Sequence, residues 1–344
     1  MELSPGSWPL EVVGIVFLVA TLLIAWSGTR MTRIADRLAD VTGIGEAIFG
    51  AVLLGGTTSA AGIVTSVSAA AQGYPELAIS NAIGGIAAQT VFLAVADTAY
   101  RKANLEHAAA SVENLMQGAL LSTLLAIPLL AMAGPELAVF GIHPASAALL
   151  VTYLFGLRLV AQAKSSPYWM PTLTQETNRD EPGEDDPDVN LTRLWARFSV
   201  FAAIVGGAGY MVAESGMTLA DQTGINASVV GGVFTAVSTS LPELVTSVAA
   251  VRRGALTLAV GGIIGGNSFD VLFVAFADAG FRSGSIYHAI TQQQIFIIAL
   301  TLLLTGILLL GLLRREKQGI MGIGFESFLV LALYFGAFGL LFFA

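Results

Sequence analysis

Ten stretches of this 344-residue chain are apolar over about the 20 residues that a helix needs to cross a bilayer. They fall at residues 9–29, 44–71, 78–100, 109–133, 144–163, 194–214, 224–250, 255–279, 288–313 and 321–344. Only 12% of the residues are charged, against about 25% in an ordinary soluble protein. In hydrocarbon every backbone amide needs an internal partner, so runs of this length are helices. The chain reads as an all-α polytopic membrane protein with ten transmembrane helices. The opening segment MELSPGSWPLEV has no Lys or Arg. A cleaved signal peptide needs a basic start, so the first run is read as a spanning helix.

The basic residues orient the spans. Counting through ten crossings puts 15 of the 16 on one side, including Arg30, Arg101, Arg158, Arg252, Arg253, Arg314 and Arg315, and leaves only Arg282 on the other. The positive-inside rule makes the first side cytoplasmic and turns both termini outward, in a plasma membrane. Between the fifth and sixth spans lies Lys164–Arg193, containing NRDEPGEDDPDVN. It is acidic and unpatterned, as a flexible cytoplasmic linker is. It divides the chain into five-helix units at 1–163 and 194–344.

Those two units are copies. Shifted by 181 positions, the chain meets itself without a gap. Thr58-Ser59 falls on Thr239-Ser240, Val64–Val67 on Val245–Val248, Gly84-Gly85 on Gly265-Gly266, Asp97 on Asp278, Arg101 on Arg282 and His107 on His288. Five spans separate equivalent positions. Five is odd, so the copies enter the membrane from opposite faces. Inverted repeats of this kind build alternating-access transporters, with the site at interrupted helices in matching positions of the two halves. The expected interruptions are in the second and third spans and in the seventh and eighth.

The chemistry concentrates in Thr235–Ala277. One span is broken by STSLPE, with Pro242 and Glu243, and the next carries GGIIGGNSFD, with Asn267 and Asp270. A carboxylate at bilayer depth is costly and marks a functional site. Thr239, Ser240, Glu243, Thr246 and Ser247 share one helical face, and Asn267 and Asp270 share another. Carboxylates, an amide and hydroxyls are hard oxygen ligands, suited to Na⁺ or Ca²⁺. The chain has no cysteine and three scattered histidines, which excludes thiolate metal sites. No nucleophile–base pair speaks for an enzyme, and nothing calls for a cofactor or a nucleic-acid partner. The expected partners are inorganic cations and the lipid bilayer, and one chain holds the complete two-fold pair, so a monomer suffices for transport.

STSLPELVTS and GGIIGGNSFD resemble the second α-repeat signature of sodium/calcium exchangers, in the calcium/cation antiporter superfamily. The resemblance implies the sodium/calcium exchanger fold of two inverted five-helix repeats. It also implies antiport by movement of the first and sixth spans, and cation ligands at Thr239, Ser240, Glu243, Asn267 and Asp270. The first copy departs from the pattern. The mate of Glu243 is Gly62, in GTTSAAGIVTS, and the mates of Asn267 and Asp270 are Ile86 and Gln89, in GGIAAQT. Thr58, Ser59, Thr65 and Ser66 survive. The expected site is therefore Glu243, Asp270, Asn267, Thr239, Ser240 and Ser247 from the second copy, with Thr58, Ser59, Ser66 and Gln89 from the first. Family habit implies Na⁺/Ca²⁺ exchange. The depleted first copy leaves open Na⁺/H⁺ or another cation/proton exchange, since a buried carboxyl beside another can hold a proton. It also leaves open a family member that binds a cation without transporting it. Asp97 and Asp278, each four residues before an arginine, are expected to form terminal ion pairs with Arg101 and Arg282, and His107 and His288 to anchor span ends.

Overall fold

The structure is a computed structural model that describes residues 8–42, 55–100, 103–165, 167, 169–172, 190–317, 319 and 323–343. The heart of the acidic linker lies outside the described residues. The helices are α1 (Leu10–Thr42), α2 (Ala60–Ala71, continuing helical residues 55–58), α3 (Pro75–Ala99), α4 (Val112–Ala133), α5 (Pro144–Ser165) and α6 (Leu191–Thr223). Then come α7 in two parts (Ala227–Thr239 and Leu241–Arg253), α8 in two parts (Leu256–Asp270 and Leu272–Gly280), α9 (Gln292–Arg314) and α10 (Phe325–Phe343). Among the described residues eight helices are long and apolar enough to cross a membrane, the bent α7 makes a ninth, and α2 is a shorter apolar helix.

α1 and α6 are each 33 residues long, beyond the 9–29 and 194–214 that hydropathy outlines. Hydropathy stops at the first charges, whereas the helix continues through Arg, Asp and Thr. Asn190 caps α6 by accepting from Arg193 N at 3.0 Å, and Gly224, with φ +71°, ends it in the left-handed conformation that glycine adopts freely.

Burial ranks the helices. The most apolar window of α3 is 94% buried and that of α8 is 72%, against 22% for α1 and 28% for α6. α3 and α8 form the centre, and α1 and α6 pack on each other at the periphery. The peripheral pair crosses the centre at two glycines. A Cβ on Gly28 of α1 would stand 2.5 Å from Pro242 Cγ in α7, and one on Gly209 of α6 would stand 2.7 Å from the Ala61 carbonyl oxygen in α2. Gly28 and Gly209 are repeat mates, as are Ala61 and Pro242.

The interruptions are fewer than the sequence predicts. α7 bends by 47° at Ser240, where Pro242 removes an amide donor from the following turn. α2 turns at the mate, Ser59. α3, however, runs unbroken through Gly84-Gly85, and α8 runs unbroken through GGIIGGNSF, stepping only at Val271. A free amide in lipid costs several kcal/mol, so the helix is kept. The glycines instead admit neighbours: a Cβ on Gly84 would lie 2.5 Å from the Gly232 backbone of α7.

The ion pair expected between Asp278 and Arg282 is not formed among the described residues. Arg101 lies outside the described residues, and Arg282 is exposed and makes no ion pair among those described. Asp97 and Asp278 are fully buried and serve backbone donors instead. Asp97 accepts from Leu105 N (2.7 Å), Gly324 N (3.1 Å) and Ser327 Oγ (3.2 Å). Asp278 accepts from Ile286 N (3.2 Å), His143 N (2.8 Å) and Ser146 Oγ (2.7 Å). Every partner is the repeat mate of its counterpart. The histidines follow suit. His107 Nδ1 lies 2.7 Å from the Arg315 carbonyl oxygen, and His288 Nε2 lies 3.1 Å from that of Gly134, the mate of Arg315. An aspartate outweighs a surface ion pair here because buried donors cost more unpaired than an exposed pair returns. Asp278→Ala strands two backbone donors and is expected to destabilise the protein by about 2 kcal/mol or more, read as a lowered unfolding midpoint in detergent.

Candidate cation site

The two acids are brought together by the break in α7 and the step in α8. Glu243 stands in the first turn of the second part of α7, where helix amides point outward and favour negative charge. Asp270 ends the first part of α8. Both are buried, at 5% and 2% exposure, and the Asp270 charge acts on Glu243.

The first copy holds Asp270 in place. Ser59 Oγ donates to one carboxylate oxygen, and Gln89 Nε2 donates to the other at 2.6 Å while reaching Ser240 Oγ at 3.3 Å. The Thr58 hydroxyl lies beside Glu243 and bonds the Gly55 carbonyl at 3.0 Å. Asn267 Nδ2 donates to Thr90 Oγ1 at 3.4 Å. With both amide nitrogens turned to these partners, three buried oxygens are left with no hydrogen-bond donor: Glu243 Oε2, Gln89 Oε1 and Asn267 Oδ1. Buried acceptors are normally paired. An unpaired set of hard oxygens next to two carboxylates matches what a Na⁺ or Ca²⁺ ion takes as ligands.

Other expected residues sit around this centre. Thr239 Oγ1 turns back to the carbonyls of Thr235 (3.0 Å) and Ala236 (3.2 Å). Ser66 belongs to a neighbouring network. It donates to the Ala78 carbonyl at 3.0 Å and accepts from Asn81 Nδ2 at 2.9 Å, while Asn81 Oδ1 accepts from Thr235 Oγ1 at 2.7 Å. Ser247 is buried one turn beyond Glu243. The sequence reading missed Thr90, Asn81 and Thr235, whose one signal is a polar residue inside an apolar span. It also missed Phe273. A Cβ on Gly62, the mate of Glu243, would lie 2.6 Å from Phe273 Cε2, so an aromatic ring stands where the first copy would carry its acid.

Comparison with known proteins agrees with this architecture. The family model described as sodium/calcium exchanger protein matches residues 12–160 and 193–343, one match per repeat. A putative antiporter, CaxA, from Alkalimonas amylolytica is 28% identical over 312 residues, covering 89% of this chain and 93% of its own. The sodium-calcium exchanger NCX_Mj superposes with a TM-score of 0.57 at 20% identity, over 96% of this chain and 99% of its own. The H⁺/Ca²⁺ exchanger CAX superposes with a TM-score of 0.64 at 13% identity, over 96% and 86%. With a matching family model across both halves and the inverted-repeat fold beneath it, this chain belongs to the sodium/calcium exchanger family, a family of cation antiporters.

Proposed function

We propose that the protein is a secondary-active cation antiporter of the plasma membrane that binds its ion between Glu243 and Asp270. Asn267, Gln89 and the hydroxyls of Thr58, Ser59, Thr239 and Ser240 complete the shell, and Ser247 with its mate Ser66 extends the polar face. The observation that carries this reading is the set of three buried oxygens without a donor beside the two acids. The split of basic residues, 15 to 1, supports outward termini and a cytoplasmic linker between two five-helix halves. The family implies that α1 and α6 move against the centre, and their low burial and glycine crossings suit that motion.

Net charge at bilayer depth is costly, so loaded states that cancel the two carboxylates are favoured. One divalent ion does so, and so do two monovalent ions. The first reading is therefore Na⁺/Ca²⁺ exchange with two Na⁺ per Ca²⁺. In proteoliposomes an outward Na⁺ gradient is expected to drive ⁴⁵Ca uptake whose rate is unchanged when the membrane potential is clamped at different values. A rate that follows the clamp overturns the stoichiometry. Ca²⁺-dependent thermal stabilisation with no flux of any cation overturns the antiporter reading. A second reading has protons as the counter-ion. It is favoured by Gly62 and Gln89 standing where the first copy would mirror Glu243 and Asp270, since the two remaining central carboxyls are the groups that would carry protons. Calcium uptake driven by a pH gradient without Na⁺ would select it.

A further inference from the structure

The inverted repeat provides its own internal comparison, and the two ends of the bundle fail to match at one place. Asp97 and Asp278 build the same junction at opposite ends, each tying the loop after its helix to the start of α10 or α5. At the Asp278 end the junction is completed by Tyr287, whose hydroxyl lies 2.9 Å from Ser146 Oγ, and by Ala145. At the Asp97 end the mates of these residues are Glu106, in the one-turn helix Leu105–Ala108, and Glu326, in the first turn of α10. Each glutamate is 1% exposed.

The two carboxyls face each other within hydrogen-bond reach. Glu106 Oε2 and both oxygens of Glu326 nevertheless have no donor. The donors nearby are already taken by Asp97. Glu326 is wedged between glycines: a Cβ on Gly311 would stand 2.6 Å from its Cγ, and one on Gly324 would overlap its Oε1. Among the described residues the charged groups facing the pair are acidic, Asp97 from α3 and Glu316 from the segment after α9. The Arg315 guanidinium is turned to the carbonyls of His107 (3.1 Å) and Thr172. His107, on the same turn as Glu106, addresses the Arg315 carbonyl. Among the described residues no lysine or arginine forms an ion pair with either glutamate. Two ionised carboxylates cannot pair with each other, whereas one proton turns an acceptor into a donor and gives both a partner.

We propose that Glu106 and Glu326 share one proton, forming a proton-binding site separate from the central cation site, which clamps the α3–α4 loop onto α10 and releases it on deprotonation. Burial pushes the Glu106 carboxyl well above the usual carboxylate range, and the charges of Asp97 and Glu326 add to this. A carboxyl raised in the folded state stabilises the fold at low pH, and that contribution is lost as pH rises through its folded value. On the antiporter reading and the orientation above, the site faces the cytoplasm and makes turnover depend on cytoplasmic pH.

The test is built so that it does not need transport. The full chain carrying Glu243→Gln and Asp270→Asn, in which the central acids no longer titrate, is melted from mildly acidic to mildly alkaline pH. Its unfolding midpoint is expected to fall by roughly 3 °C or more above the ordinary carboxylate range. Adding Glu106→Gln or Glu326→Gln, whose amide is a permanent donor, is expected to remove that fall. A midpoint that falls equally with and without the added glutamine overturns the proposal. If an added variant does not fold, infrared spectra of the central-site variant decide. A protonated carboxyl band that persists at neutral pH and is lost at alkaline pH supports the site, and its absence at neutral pH overturns it. Failure of the antiporter reading leaves these outcomes unchanged, because none of them measures flux.

Discussion

Glu243→Gln is expected to reduce gradient-driven cation flux by roughly a hundredfold or more while leaving the protein folded. The substitution keeps the shape of the side chain and removes one of the two charges that balance the ion. Breaking a buried, compensated charge pair costs about 3–5 kcal/mol, and each 1.4 kcal/mol is about tenfold in affinity. Asp270→Asn is expected to cost as much in flux and more in stability. Its new amide group would meet the donors of Ser59 or Gln89, which now both point at the carboxylate. Proteoliposome flux measured alongside the unfolding midpoint separates the two effects. Glu243→Gln with wild-type flux would remove Glu243 from the site.

Gly209→Val is expected to slow transport by roughly tenfold or more, by overpacking on a neighbour that cannot yield. Its Cβ would press on the backbone of Ala61, 2.7 Å from the carbonyl oxygen and 3.1 Å from Cα. The Gly209 carbonyl is itself held by Thr65 Oγ1 at 2.8 Å. Overpacking of this kind costs about 1–3 kcal/mol, which, on the proposal that α6 moves against the centre, is read as a loss of roughly tenfold or more in turnover. Gly207 lies two residues earlier on α6, and a Cβ added there would have nothing within 4 Å. Gly207→Val is therefore the matched control and is expected to be silent. Equal flux from the two variants would show that α6 does not rely on this crossing.

The architecture was legible because its physics is local. A span needs about 20 apolar residues wherever it sits, and a copy shifted by 181 positions is visible without knowing any contact. Glu243 and Asp270 stood out for the same reason, as carboxylates inside apolar runs. The reading went wrong where a local rule competes with the demand of lipid for paired amides. Glycine pairs break helices in water, yet α3 and most of α8 stay helical through them, and the glycines serve close packing. Asp278 lies four residues before Arg282 along the chain, but its partners come from 8, 132 or 135 residues away.

By itself the sequence determined the all-helical membrane class and the inverted two-fold and singled out two acids inside apolar runs, because hydropathy, repetition and charge are properties of a residue and its neighbours in the chain. Only the tertiary structure decided that the depleted first copy holds Asp270 through Ser59 and Gln89, that Phe273 stands against Gly62, and that Glu106 and Glu326 meet at one end of the bundle. Those pairings join residues from different helices that lie far apart in the chain, and the distance between two side chains there is set by how whole helices pack.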